Sequence, residues 1–172
     1  MLLRRLRATL GDVVLVLPWV AFAGAVGLAL RGVDAVPGTP VGRDLLALAT
    51  LVAPVTVTAA WFESGPRGAT PGKRWAGLHV VGADGGGLDR RTAVLRSAVR
   101  FLPWQLAHTA VFHLVDGSGS PAWFAVSGLA QATVLVSWGL VARDGQALHD
   151  RVVGARVVRV APAGVGVGGR TT

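Results

Sequence analysis

Asp12 stands at the head of a long apolar run, Asp12-Val-Val-Leu-Val-Leu-Pro-Trp-Val, in a chain with few acids. A carboxylate at the edge of hydrocarbon is costly unless paired. Such a group either locks helices together through a cation or carries a proton or cation of its own. Both chemistries need the same neighbours, and arginines supply them. Arg5 lies seven residues upstream, close to two helical turns, so it points the same way from about 10 Å along the axis. Arg96 and Arg100 recur four apart on one stripe with Thr92, and are expected at the depth of Asp12. Arg5, Asp12, Arg96 and Arg100 therefore form a candidate intramembrane polar site. The first reading is an Asp12–arginine pair that locks the packing; the second is a proton or cation site.

A second candidate cluster surrounds Asp150, which sits between His149 and Arg151 beyond the last apolar run. An acid among arginines is expected to be paired, so Asp150 should tether the tail to the loop around Lys73 and Arg74. His108 and His113, five apart, do not share a helix face well and read as polar packing or outer-leaflet residues, not metal ligands. The segment Gly68-Ala-Thr-Pro-Gly72-Lys73-Arg74 lacks phosphate-loop spacing. Arg67 stands where the first glycine is needed, and Arg74 follows Lys73 where Ser or Thr belongs. It reads instead as a bent cationic turn near headgroups. No Ser/His/Asp order, paired carboxylate site or metal-ligand cluster is present, so no catalytic residue, metal or cofactor is expected. Cysteine is absent, which excludes disulfides and iron–sulfur clusters.

These side chains hang on four greasy stretches, about 10–30, 45–62, 101–115 and 122–142, each near the length that crosses a bilayer. Only 15% of the 172 residues are charged, against about a quarter in a soluble domain. The deficit is what a lipid-facing surface requires. Fifteen of the 17 basic residues fall at the N-terminus, between the second and third runs, or after the fourth; Arg31 and Arg43 alone flank the other side. Cytosolic flanks collect Lys and Arg, so both termini and the middle loop are expected in the cytosol. The net charge of +8 is thereby explained by topology, and nucleic acid is not expected as a partner. Anionic headgroups are, together with a second copy or another membrane protein. Arg4, Arg5 and Arg7 before an apolar run raise a secretory signal, but the run continues to Leu30 and Asp12 interrupts it. It is expected to remain as an uncleaved first span.

Asp89 should cap a helix starting at Arg90. The stretch Arg90 to Arg100 reads as an amphipathic helix lying at the interface, its arginines snorkelling to headgroups, and bending near Pro103 into the third span. Gly77-Leu-His-Val-Val81 and Gly154-Ala-Arg-Val-Val158 each pair a glycine start with a β-branched run. They are expected to pair as a small sheet, Val80 near Val157. The expected fold is all-α: a four-helix transmembrane bundle with an interfacial amphipathic helix and a two-stranded cytosolic β element. One membrane domain covers 1–160, and a disordered tail 161–172.

The residues now assembled resemble the RDD family of bacterial membrane proteins. The resemblance rests on Arg4-Arg5-Leu-Arg-Ala-Thr-Leu-Gly-Asp12, on Gly68-Ala-Thr-Pro-Gly-Lys-Arg-Trp-Ala-Gly-Leu-His-Val-Val81, and on Gln146-Ala-Leu-His-Asp150-Arg-Val-Val-Gly154. It implies that Arg5, Asp12 and Asp150 are the residues for which the family is named. It also implies a bacterial plasma membrane. His79 stands where the family often has arginine, and Ala155 where threonine is common. The molecular function of the family is largely unassigned, and some members have been proposed to exchange cations for protons. The expected role is a non-enzymatic module for helix packing or partner binding, with a cation/proton antiporter using Asp12 as the alternative.

Overall fold

The computed structural model describes residues 1–117 and 120–160; the expected tail at 161–172 lies outside them. Among the described residues, three stretches are long and apolar enough to cross a membrane: Leu2–Gly32, Pro40–Glu63 and Pro121–Asp144. The first is two helices in line, α1 (Leu2–Gly11) and α2 (Val13–Gly32), interrupted only by Asp12. The second is α3 (Pro40–Ala47), a π turn at Leu48–Val52, and α4 (Ala53–Glu63). The π turn falls immediately before Pro54. A proline ring collides with the carbonyl four residues back in a regular helix, and one wide turn relieves that. The third is α7 (Pro121–Asp144), started by Ser120 and Pro121 and stopped by Gly145 in the left-handed region at φ 72°.

The remaining long helix, α6 (Arg90–Val115), corrects one expectation. It is a single helix of 26 residues through Pro103, capped by the Asp89 carboxylate on the Thr92 N–H at 3.0 Å. Its polar stripe does not face headgroups. Arg96 and Ser97 are buried, while Val94 and Leu95 are about half exposed. The ionic stripe thus finds partners inside, and the aliphatic side is left on the surface.

Short elements close the polar end of the bundle: α5 (Pro71–Trp75), α8 (Leu148–Val152) and the strands β1 (Leu78–Val81) and β2 (Arg156–Arg159). The strands pair antiparallel with Val80 opposite Val157, as the glycine-led runs predicted. A small core of Ala8, Ala60, Ala76, Leu78, Val80, Leu88, Ala93, Ala155 and Val157 lies between sheet and helices. Toward the other end little is buried. No residue of α2 is buried, and Leu17 and Leu28 are 58% and 73% exposed. Apolar surface on that scale calls for lipid or another apolar partner.

Candidate functional site

Where the helix ends meet the cap, charged side chains are buried in one connected chain. Asp12, at the joint between α1 and α2, caps neither helix with its side chain. Its Oδ1 accepts from the Gly72 N–H at 2.9 Å and its Oδ2 from the Thr70 hydroxyl at 3.0 Å. Lys73 Nζ stands 3.8 Å from Asp12 Oδ2 and donates to Glu63 Oε1 at 2.6 Å. Arg96 takes the other Glu63 oxygen with Nη1, and reaches Asp150 Oδ1 from Nε at 2.9 Å. Asp150 Oδ2 accepts from Arg5 Nη1 and from the Ala147 N–H, both at 3.0 Å. Arg5 Nη2 donates to the Gly145 carbonyl. Arg100 is more loosely placed, 3.5 Å from Asp12 and 3.7 Å from Glu63, without a hydrogen bond to either.

Close backbone approach makes this geometry available. A Cβ on Gly72 would stand 2.2 Å from the Ala8 carbonyl oxygen and 2.6 Å from Asp12 Oδ1. Only glycine lets α5 lie on α1 and offer its N–H to the carboxylate. Pro71 begins that turn, so its missing N–H costs nothing there.

Electrostatics follow from burial and neighbours. Burial, helped by Arg100 and Arg96 and opposed by Glu63, holds the Lys73 ammonium below its ordinary pKa. Burial works against ionising Asp150, yet Arg96, His149 and Arg5 outweigh it and bring its pKa to about 2. Burial, with Arg96 beside it, pushes His149 down to about 3, so the imidazole is neutral at pH 7. Asp12, Glu63 and Asp150 each have at least one cationic side chain within 4 Å. Among the described residues no group of His, Cys, Asp and Glu is placed to hold a metal ion.

A scan of family models matches residues 1–154 to the RDD family. The chain belongs to the RDD family. No curated protein and no solved structure matches it. The matched span contains every member of the ionic chain. Arg5 and Asp150, two of the three residues that the resemblance singled out, bond directly. Asp12, the third, connects to them through Lys73, Glu63 and Arg96.

The sequence divides these residues into two clusters, and the structure regroups them. Arg5, Asp12, Arg96, Arg100, Lys73 and Asp150 all belong to one network. Arg5 pairs with Asp150 rather than Asp12, and the cations nearest Asp12 are Lys73 and Arg100. Asp150 is not tied to Lys73 or Arg74. Arg74 instead donates to the Ala69 carbonyl at 2.9 Å and lies over the Phe62 ring. Lys73 is buried, with 6% exposure, not spread on headgroups as the cationic-turn reading expects. Glu63, Thr70 and Gly72 are missing from the sequence candidates. Glu63 did leave a signal, being an acid that ends an otherwise uncharged apolar helix at the arginine-rich side. His108 and His113 are packing residues: His108 Nδ1 lies 2.9 Å from the Trp104 carbonyl, and His113 stacks on Trp123.

Proposed function

We propose that this RDD protein is a non-enzymatic, four-pass module of a bacterial plasma membrane. Both termini and the loop 64–89 face the cytosol, and α6 supplies the third pass. The ionic chain fastens the cap of α5, α8 and the sheet to the helix ends. The cap is thereby held rigid for a partner, either another membrane protein or a second copy, against a bilayer with anionic headgroups. No nucleic acid is involved. One observation carries this reading: all three carboxylates of the chain, Asp12, Glu63 and Asp150, are engaged by protein donors and cations. A cation carrier needs a carboxylate that its ion can reach and leave.

The carrier reading keeps one supporting observation. Asp12 and Arg100 line two adjoining cavities, of about 200 Å³ and 280 Å³, so an ion freed from Asp12 has space beside it. Vesicles containing purified protein decide between the two. The fastening role predicts no sodium or potassium flux under a pH gradient, and a large loss of thermal stability in Asp12→Asn. Flux that disappears in a folded Asp12→Asn variant establishes the carrier instead.

A further inference from the structure

The cavity of about 200 Å³ lies between α1, α6, α7 and α8, at the level where the apolar helices meet the polar cap. Its floor is cationic: Arg5, Lys73, Arg96 and Arg100 line it with Asp12, and His149 on its rim is neutral at pH 7. Across the buried network, four cations face three carboxylates, because Glu63 and Asp150 complete the acid side. The cations thus outnumber the acids by one, with Arg100 sharing Asp12 and Glu63 with Lys73 and Arg96.

Arg5 is already committed, with Nη1 on Asp150 and Nη2 on the Gly145 carbonyl, and its Nε is walled off from the cavity. The donors left over at the cavity are those of Arg100 and Ser137. Arg100 has an ion-pair distance to two acids but hydrogen-bonds neither. The Ser137 hydroxyl accepts from the Leu148 N–H at 3.3 Å, which leaves its own proton to donate into the cavity. A guanidinium with free N–H groups fits the oxygens of a tetrahedral or planar oxyanion in pairs. The space is larger than a monatomic anion needs. The α7 part of the lining is largely apolar, with Val134, Trp138 and Val141.

We infer that this cavity binds a phosphate group of one net negative charge, held by Arg100 with Ser137 inside the cationic lining. The group comes either from the phosphodiester of a lipid headgroup or from free inorganic phosphate. It goes beyond the fastening role and does not depend on it. In both cases the anion neutralises the surplus charge and accepts from donors that nothing else satisfies. The lipid source places its glycerol against Trp138 and Val141; free phosphate leaves that wall to water.

Thermal unfolding of the full chain in a neutral detergent tests the inference. The arms are phosphatidylglycerol, inorganic phosphate, sodium chloride at matched ionic strength, and diacylglycerol. A saturable rise in Tm with phosphatidylglycerol alone identifies the lipid headgroup; a saturable rise with inorganic phosphate as well identifies the free anion. Arg100→Gln should raise the half-saturating concentration at least about tenfold, the change expected when one charge-assisted hydrogen bond is lost. Ser137→Ala should raise it less, and serves as the variant if Arg100→Gln does not fold. The inference is overturned if phosphate and phosphatidylglycerol act no differently from chloride. It is equally overturned if diacylglycerol matches phosphatidylglycerol, or if the folded variant keeps the wild-type half-saturation.

Discussion

Gly72 and Asp12 show how a single atom's room decides the site. With a methyl group 2.2 Å from the Ala8 carbonyl oxygen, Gly72→Ala must push α5 off α1 and break the Gly72 N–H bond to Asp12. We expect a loss of about 1–3 kcal/mol or more, the cost of overpacking a tight contact. Gly24→Ala, where nothing lies within 4 Å, should leave stability unchanged or slightly raised; chemical unfolding of the two variants side by side checks both. The titrating groups give a second expectation. His149 is protonated near 6.5 when unfolded and only at about 3 when folded. Between those values the unfolded chain binds more protons, so stability rises with pH and falls on acidification. Asp150, lowered from 3.8 to about 2, adds the same sign at more acid pH. Tm measured from pH 7 to pH 4 should therefore decline, with His149 contributing at most about 1.4 kcal/mol per pH unit. The slope should flatten in His149→Asn.

Among the elements, the two strands were legible from the chain alone, because each short β-branched run starts at a glycine outside the apolar stretches and the first is followed by the Asp84-Gly85-Gly86-Gly87 turn. Even the pairing of Val80 with Val157 was legible, and a Val80→Cys/Val157→Cys double variant should form a disulfide on mild oxidation. Val80→Cys with Val160→Cys, three residues out of register, should not. The face of α6 was not legible. A period of Thr92, Arg96 and Arg100 says that three side chains share a stripe; it is silent on which way the stripe points. In water a basic stripe faces out. Here the acids at Glu63 and Asp150 turn it inward, and neither partner is near Arg96 in sequence. The sequence singles out Lys73 but not its partner Glu63, ten residues before it, because the two come within reach only after the turn at Pro71. Asp12, Arg5 and Asp150 could be singled out as residues, yet the pairing among them depends on how four separate elements meet.

At the scale of the molecule, the two ends obey different physics. Toward Arg43 and Asp116, whose side chains join the two far connections, helices present aliphatic surface and bury little. At the arginine-rich end an ionic chain from Asp12 to Arg5 runs across α1, α4, α5, α6 and α8. Such pairs add little over an apolar core when intact, but losing one partner strands a charge in a place without water. Glu63 is the central link, fully buried between Lys73 and Arg96. The most direct measurement is the unfolding free energy of Glu63→Gln in detergent against the parent chain. A single fastening network predicts a loss of about 3–5 kcal/mol. A change within about 0.5 kcal/mol, the range of an ordinary surface substitution, would contradict it.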